Sequence, residues 1–157
     1  MSQKNMGLDS QLINTAEKDE LIRLVYVSAA TNWPTEKELM DILEKARGNN
    51  MKRNITGMLI YNNGVYMQLI EGFSKDIHRL YDLMINDRRH NRIIKLVEES
   101  ITERYFPDWN MGFKDLSTMS PDELPGFIAV FNGKLDLDTV SKNIPVAVAL
   151  ILNFARK

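Results

Sequence analysis

Three neutral polar side chains stand where the apolar pattern of this sequence asks for hydrophobic ones. Gln68 interrupts the run GVYMQLIEG (64–72), and Tyr26 lies inside LIRLVYVS (21–28). Asn50, with Asn49 beside it, follows the apolar stripe of Leu39, Ile42, Leu43 and Ala46. A primary amide carries two donors and two acceptors, and a phenol both donates and accepts. Singly, each has a plain structural explanation: a buried amide satisfied by backbone, a half-buried strand tyrosine, a pair of helix-exit residues. Together they describe a slot with apolar walls and a few convergent polar groups, which is the signature of a ligand site. Amides donate and accept without charge, so they match a flat heterocycle with alternating C=O and N–H groups. A flavin edge is one such object, and residues and spacing lead no further than that.

The elements that must bring these groups together are legible. LIRLVYVS reads as a strand, with Leu24, Tyr26 and Ser28 on one face and Arg23, Val25 and Val27 on the other. Thr35 with Glu38 forms a capping box behind Pro34, and the helix it opens carries Leu39, Ile42, Leu43 and Ala46 at i, i+3, i+4, i+7. Asn50 extends that stripe if the helix continues through Gly48; if Gly48 ends it, Asn49 and Asn50 lie in the exit turn. Asn63-Gly64 between two apolar runs is a hairpin signal. In the second strand Tyr66, Gln68 and Ile70 share one face and Val65, Met67 and Leu69 the other. A second helix, with Ser74 as N-cap, carries Ile77, Leu80, Tyr81 and Met84. Residues 92–106 read as a strand with a bend. DWNMGF (108–113) reads as a short final strand with Trp109, Met111 and Phe113 on one face.

The order β–α–β–β–α–β–β predicts an α+β fold. It is a ferredoxin-like βαββαββ sheet with two helices on one face and C-terminal helices on the other. The helix predicted in IPVAVALILNFARK is apolar nearly all round, so it is buried or meets a partner. SPDELPGFIAVFNG carries helix punctuation as well. Residues 1–20 are polar and aperiodic and read as a flexible arm, 21–114 as the main domain, and 115–157 as a helical cap or output segment.

Composition excludes several chemistries. Twenty basic and 21 acidic residues give a net charge of −1, which argues against a direct nucleic-acid footprint. The absence of cysteine removes disulfides, thiolate nucleophiles and cysteine-ligated metal. His78 and His90, the only histidines, lie twelve residues apart with no compact ligand set, so no metal site is expected. No G-x-G-x-x-G or P-loop pattern occurs. Ser28 lacks a base partner, and Glu71 and Asp87 read as solvated carboxylates. No apolar stretch reaches the ~20 residues of a membrane span, and the N-terminus has no signal-peptide core. The expectation is a cytoplasmic protein without membrane contact.

Five blocks, LVYVSAAT, ARGNNMKRNITGMLIY, NGVYMQLIEG, DRRH and FPDWNMGF, resemble in order and spacing the BLUF domain, a flavin-binding blue-light sensor. The resemblance covers about residues 21–114; the tail resembles the helical caps of short, stand-alone members only in length and position. It implies that Tyr26 donates an electron and then a proton to the photoexcited flavin, and that Gln68 lies between that tyrosine and the ring. It implies that Asn50, its neighbour Asn49, the apolar wall residue Ile42, and Asp87 and His90 of the D-x-R-H block bind the cofactor, FAD or alternatively FMN. Trp109 and Met111 match the pair linked to signalling. There are departures. Leu83 stands where many members have a basic residue for the phosphate, with Arg79, Arg88 or Arg89 as substitutes. Asn54 stands where glycine is common, and Tyr66 replaces another aromatic. The implied function is a blue-light photoreceptor, not an enzyme, that signals to a separate effector protein and forms a homo-oligomer. A flavin-dependent oxidoreductase and a ligand-free ferredoxin-like adaptor are the alternatives.

Overall fold

A computed structural model of the chain describes residues 20–116, 137–142 and 144–153. The elements in order are β1 (Leu21–Ala30), α1 (Glu36–Lys52), β2 (Thr56–Asn62), β3 (Val65–Phe73), α2 (Ser74–Ile85), β4 (His90–Ser100), β5 (Gly112–Asp115), α3 (Leu137–Lys142) and α4 (Ile144–Asn153). The strands form one sheet in the order β4-β1-β3-β2-β5. All neighbours are antiparallel except β2 and β5, which run parallel. The α+β, ferredoxin-like arrangement read from the sequence is the one observed.

Local chemistry explains the boundaries. Thr35 Oγ1 accepts from Glu38 N (3.1 Å) and Glu38 Oε1 accepts from Thr35 N (2.9 Å), so both arms of the capping box are made. The helix runs through Gly48 to Lys52, which settles the open alternative and puts Asn50 on the buried face with Leu39 and Leu43. Asn63 (φ 45°) and Gly64 (φ 85°) make the β2–β3 turn, both left-handed as a tight hairpin requires. Asn54, with φ 55°, fills a left-handed position where asparagine is tolerated.

Period-two patterning sorts the strand residues into two cores. Leu24, Tyr26, Leu59, Tyr66 and Ile70 pack with Leu39, Leu43 and Ile77 of α1 and α2. Val25, Val27, Met58, Ile60, Met67 and Leu69 pack with Val140 of α3 and Ala147, Leu150 and Ile151 of α4. Fully burying one such aliphatic side chain contributes ~1.5–3 kcal/mol. The apolar α4 is thus spent on covering the sheet.

Four expectations are corrected. Ser74 is the first residue of α2 rather than its cap; Phe73 holds the cap position and makes no side-chain capping bond. The strand expected over 92–106 ends at Ser100, because Ile101 N closes onto Leu21 O and the chain then turns away. The last strand begins at Gly112, not at Asp108. Trp109 does not share a face with Met111 and Phe113. It packs with the α3–α4 core, while Met111 and Phe113 pack with the α1–α2 core. Residues 109–111 lie outside β5 and the chain bends at 110–111, so strand alternation does not apply to them. Gly112 makes room for the indole, since a Cβ there would lie 2.5 Å from Trp109 Cε3. The expectations for 1–19 and for SPDELPGFIAVFNG fall outside the described residues.

Candidate functional site

β1 and β3 pair so that Tyr26 and Gln68 are direct cross-strand partners, with Leu59 of β2 on the other side of Gln68. Adjacent side chains on one face of an antiparallel pair lie within reach of each other. The Tyr26 hydroxyl donates to Gln68 Oε1. Met84 Sδ of α2 lies 2.8 Å from the same hydroxyl, as the second group its single proton can serve. Gln68 Nε2 in turn donates to Met111 Sδ at 3.1 Å. A continuous relay therefore runs from β1 through β3 to the residue before β5.

These groups wall a cavity of about 230 Å³ between α1 and α2. Tyr26, Gln68, Tyr66 and Leu59 form its sheet side; Ile42, Lys45, Ala46, Asn49 and Asn50 come from α1; Leu80, Leu83 and Met84 come from α2, with Arg89 at the exit of that helix. A second recess of about 370 Å³ adjoins it and shares Ile42, Lys45, Tyr66 and Arg89. Tyr26, Asn50, Gln68 and Ile42 thus surround one space, as expected, and exposed Asn49 reaches its rim. Asp87 instead holds Arg89, whose Nε lies 3.0 Å from each carboxylate oxygen. His90 opens β4 opposite Ala30, and its backbone alone is described. Lys45 and Arg89 are the basic residues that line this cavity, Arg88 joins them in the adjoining recess, and exposed Leu83 carries no charge.

Burial holds the Tyr26 phenol well above its ordinary range, with smaller contributions from Tyr81, Asp87 and Tyr66 in the same direction. It is therefore a neutral donor throughout the physiological range. Burial also pushes Tyr66 up, to about 12, against a lowering effect of Arg89. The cavity offers neutral amides and phenols on apolar walls and cations at the mouth. That donor set suits a flat, uncharged ring with an anionic tail, and a flavin has this form.

The segment leading to β5 is tied to the site at several points. Asn50 Nδ2 donates to Asn110 O (2.7 Å), Arg47 Nε to Met111 O (2.9 Å), and Gly57 N to Trp109 O (2.9 Å). Arg47 escaped notice in the sequence because its partner is a backbone carbonyl 64 residues away. Glu71, three residues beyond Gln68, was expected to be solvated and is instead fully buried. Its carboxylate accepts from Arg23 Nε, Tyr105 N and Phe106 N, each at 2.9 Å. Arg23, itself buried, also stacks 3.9 Å from the centre of the Tyr105 ring. Among the described residues no cluster of three or more His, Asp or Glu could hold a metal ion.

Residues 21–112 match the family model described as "BLUF: Sensors of blue-light using FAD". The chain is 35% identical over 98 residues to the photoactivated adenylate cyclase subunit beta of Euglena gracilis, covering 60% of this chain and 11% of that protein. It therefore spans about a tenth of the length of that curated relative. Among solved structures it is similar to BlrB, a BLUF protein in its dark state, with a TM-score of 0.62 and 30% identity over 83% of this chain and 98% of that one. It is also similar to the BlsA ground state, with a TM-score of 0.69 and 26% identity over 84% and 87% of the two chains. The five-stranded sheet, the polar slot between its two helices and the match across 21–112 agree, and the chain belongs to the BLUF family of flavin-based blue-light sensors.

Proposed function

We propose that this chain is a blue-light photoreceptor in which Tyr26 and Gln68 convert absorption into a hydrogen-bond change, read out by a separate effector protein. The reading divides the chain into a sensor, 21–114, and a helical cap, 115–157. The cofactor is FAD, with FMN as the alternative, held by Ile42, Asn49, Asn50, Gln68, Asp87 and His90. Lys45 and Arg89 stand in for the missing base at Leu83. When bound, the flavin supplies a blue-light absorber whose excited ring can oxidise a nearby phenol.

The protein's own groups do the rest. Tyr26 is buried, neutral and already donates to Gln68 Oε1, so its proton has a path through the amide. Gln68 has an oxygen at one end and NH₂ at the other. Reversal or tautomerisation exchanges donor and acceptor without moving net charge. In a low-dielectric slot such an exchange is consequential. Because Nε2 now donates to Met111 Sδ, the same exchange removes that donor and biases the segment carrying Trp109 and Met111.

The single observation that carries the reading is the relay Tyr26–Gln68–Met111 on the wall of one cavity. The effector and a homo-oligomeric assembly belong to the same proposal, as does a cytoplasmic location; among the described residues no helix is long and apolar enough to cross a membrane.

The test is an absorption spectrum before and after blue light. The purified protein should be yellow and show a small reversible red shift, which Tyr26→Phe abolishes while the colour remains. A normal photocycle in Tyr26→Phe would remove the role given to Tyr26. Steady NAD(P)H oxidation would move the chain to the oxidoreductase reading. A folded protein that stays colourless with added flavin would make it an adaptor.

A further inference from the structure

The connection between β4 and β5 is fastened at both ends. At one end the buried Glu71 carboxylate accepts from the backbone N–H groups of Tyr105 and Phe106, each at 2.9 Å. At the other, Gly112 pairs with Met58 of β2. Residues 109–111, just before that pairing, are held through three successive carbonyls. Trp109 O accepts from Gly57 N (2.9 Å), Asn110 O from Asn50 Nδ2 (2.7 Å) and Met111 O from Arg47 Nε (2.9 Å). Met111 is thus gripped at two points. Arg47 holds its carbonyl, and Gln68 Nε2 donates to its sulfur at 3.1 Å.

The three donors differ in kind. Gly57 N belongs to the main chain of β2, which pairs with β3 on its other side. Asn50 is buried and walls the cavity. Arg47 stands one turn before Asn50, is exposed, and lines neither the inner cavity nor the outer recess. Its bond to Met111 O is charge-assisted, the stronger kind. Removing it loosens Met111 and leaves the cavity wall in place. Gln68 makes that looseness matter. A reversed amide turns its oxygen toward Met111 Sδ, and two acceptors then face each other. The reversed arrangement requires Met111 to give way, so a group that holds Met111 in place favours the dark arrangement.

We propose that Arg47 is a positioning residue for the photocycle: by holding the Met111 carbonyl it keeps the sulfur on Gln68 and shortens the life of the lit state. The proposal rests on the photoreceptor reading of the cavity.

The experiment applies two readouts to the whole flavin-loaded chain as wild type, Arg47→Met and Arg47→Lys. The first is amide hydrogen exchange in the dark, resolved by NMR. Gly57 N–H is bonded to Trp109 O, so its exchange reports release of the segment. Arg47→Met should speed it roughly threefold to tenfold, the range of one modest hydrogen bond, with the amides paired between β1 and β3 unchanged. A merely structural role would move both sets together. The second readout is the return of the red-shifted absorption to its dark form after blue light. Arg47→Met should slow this return by a similar factor at unchanged flavin content and unchanged size of the red shift. Arg47→Lys keeps the charge and a donor and should restore most of both values. Unchanged Gly57 exchange in Arg47→Met overturns the proposal, and so does a return that is unchanged or faster. If Arg47→Met does not fold, Arg47→Ala carries the same expectations; failure of both to fold makes Arg47 a structural anchor and overturns the proposal. A wild type without a photocycle removes the proposal together with the photoreceptor reading, whereas the other adverse outcomes, in a photoactive wild type, remove the proposal alone.

Discussion

Replacing Glu71 with glutamine removes one charge from a fully buried site and keeps its shape. In the native protein the carboxylate accepts from Arg23 Nε, Tyr105 N and Phe106 N, and Arg23 is itself buried. Breaking a buried ion pair by removing one partner costs about 3–5 kcal/mol, because the other charge is left uncompensated. Two features reduce that cost here. Arg23 keeps Glu99 Oε1 at 2.7 Å and Glu103 O at 3.3 Å, and the glutamine carbonyl can still accept from the backbone amides. The expected loss is therefore about 2–3 kcal/mol. With a urea m value of about 1–3 kcal/mol per molar, the unfolding midpoint should fall by about 0.7–3 M at unchanged m. The measurement belongs on apoprotein, or at one fixed excess of flavin, because ligand binding shifts apparent stability. The double variant Arg23→Met/Glu71→Gln should cost less than the two single changes combined, since the stranded charge is gone. A midpoint change below about 0.3 M, or full additivity in the cycle, would refute the assignment of Glu71 as an ion-paired anchor.

Three further outcomes follow from the geometry. Tyr26 and Tyr66 are held above their unfolded values, so unfolding releases protons at alkaline pH; their stabilising effect is whole below pH ~10 and declines as pH rises toward about 12. Urea midpoints at pH 9, 10 and 11 should decline, less steeply in Tyr66→Phe, and an unchanged slope in that variant would contradict the burial assigned to Tyr66. Asn50→Ala removes the donor to Asn110 O and an amide from the cavity wall, so flavin should dissociate roughly tenfold or more faster, about the equivalent of one lost hydrogen bond; stopped-flow fluorescence of released flavin reads this. Gly64→Ala combines a left-handed φ with a Cβ pressed against the Trp33 indole, and should destabilise by about 1–2 kcal/mol or more in the same urea assay.

The layers of this fold were legible because strand and helix periods are written in the residue types. Tyr26, Gln68 and Asn50 were legible as interruptions of those periods, and the sheet register and helix length then bring them to one cavity. The connection from Ile101 to Met111 was not. Its course is set by backbone groups, Trp109 O to Gly57 N, Asn110 O to Asn50 and Met111 O to Arg47, and these carry no side-chain signature at their receiving ends. A period-two reading therefore put Trp109 and Met111 on one side, when the chain between them is bent and they face opposite cores. Glu71 was misjudged for a related reason: two of its three donors are main-chain amides, and its exposure depends on a loop that returns 34 residues later. The Ser74 cap was missed by one position, since Phe73 supplies the extended backbone and no side-chain bond forms.

The direct pairing of Tyr26 with Gln68 across β1 and β3 has a consequence for handling the protein. Side chains alternate along a strand, so a slip of one residue between these two strands would send one of the pair to the α3–α4 side and close the pocket. On the flavin reading such a molecule is colourless. The ratio of visible to ultraviolet absorbance in a preparation then becomes a census of correctly zipped sheets, taken without unfolding a single molecule.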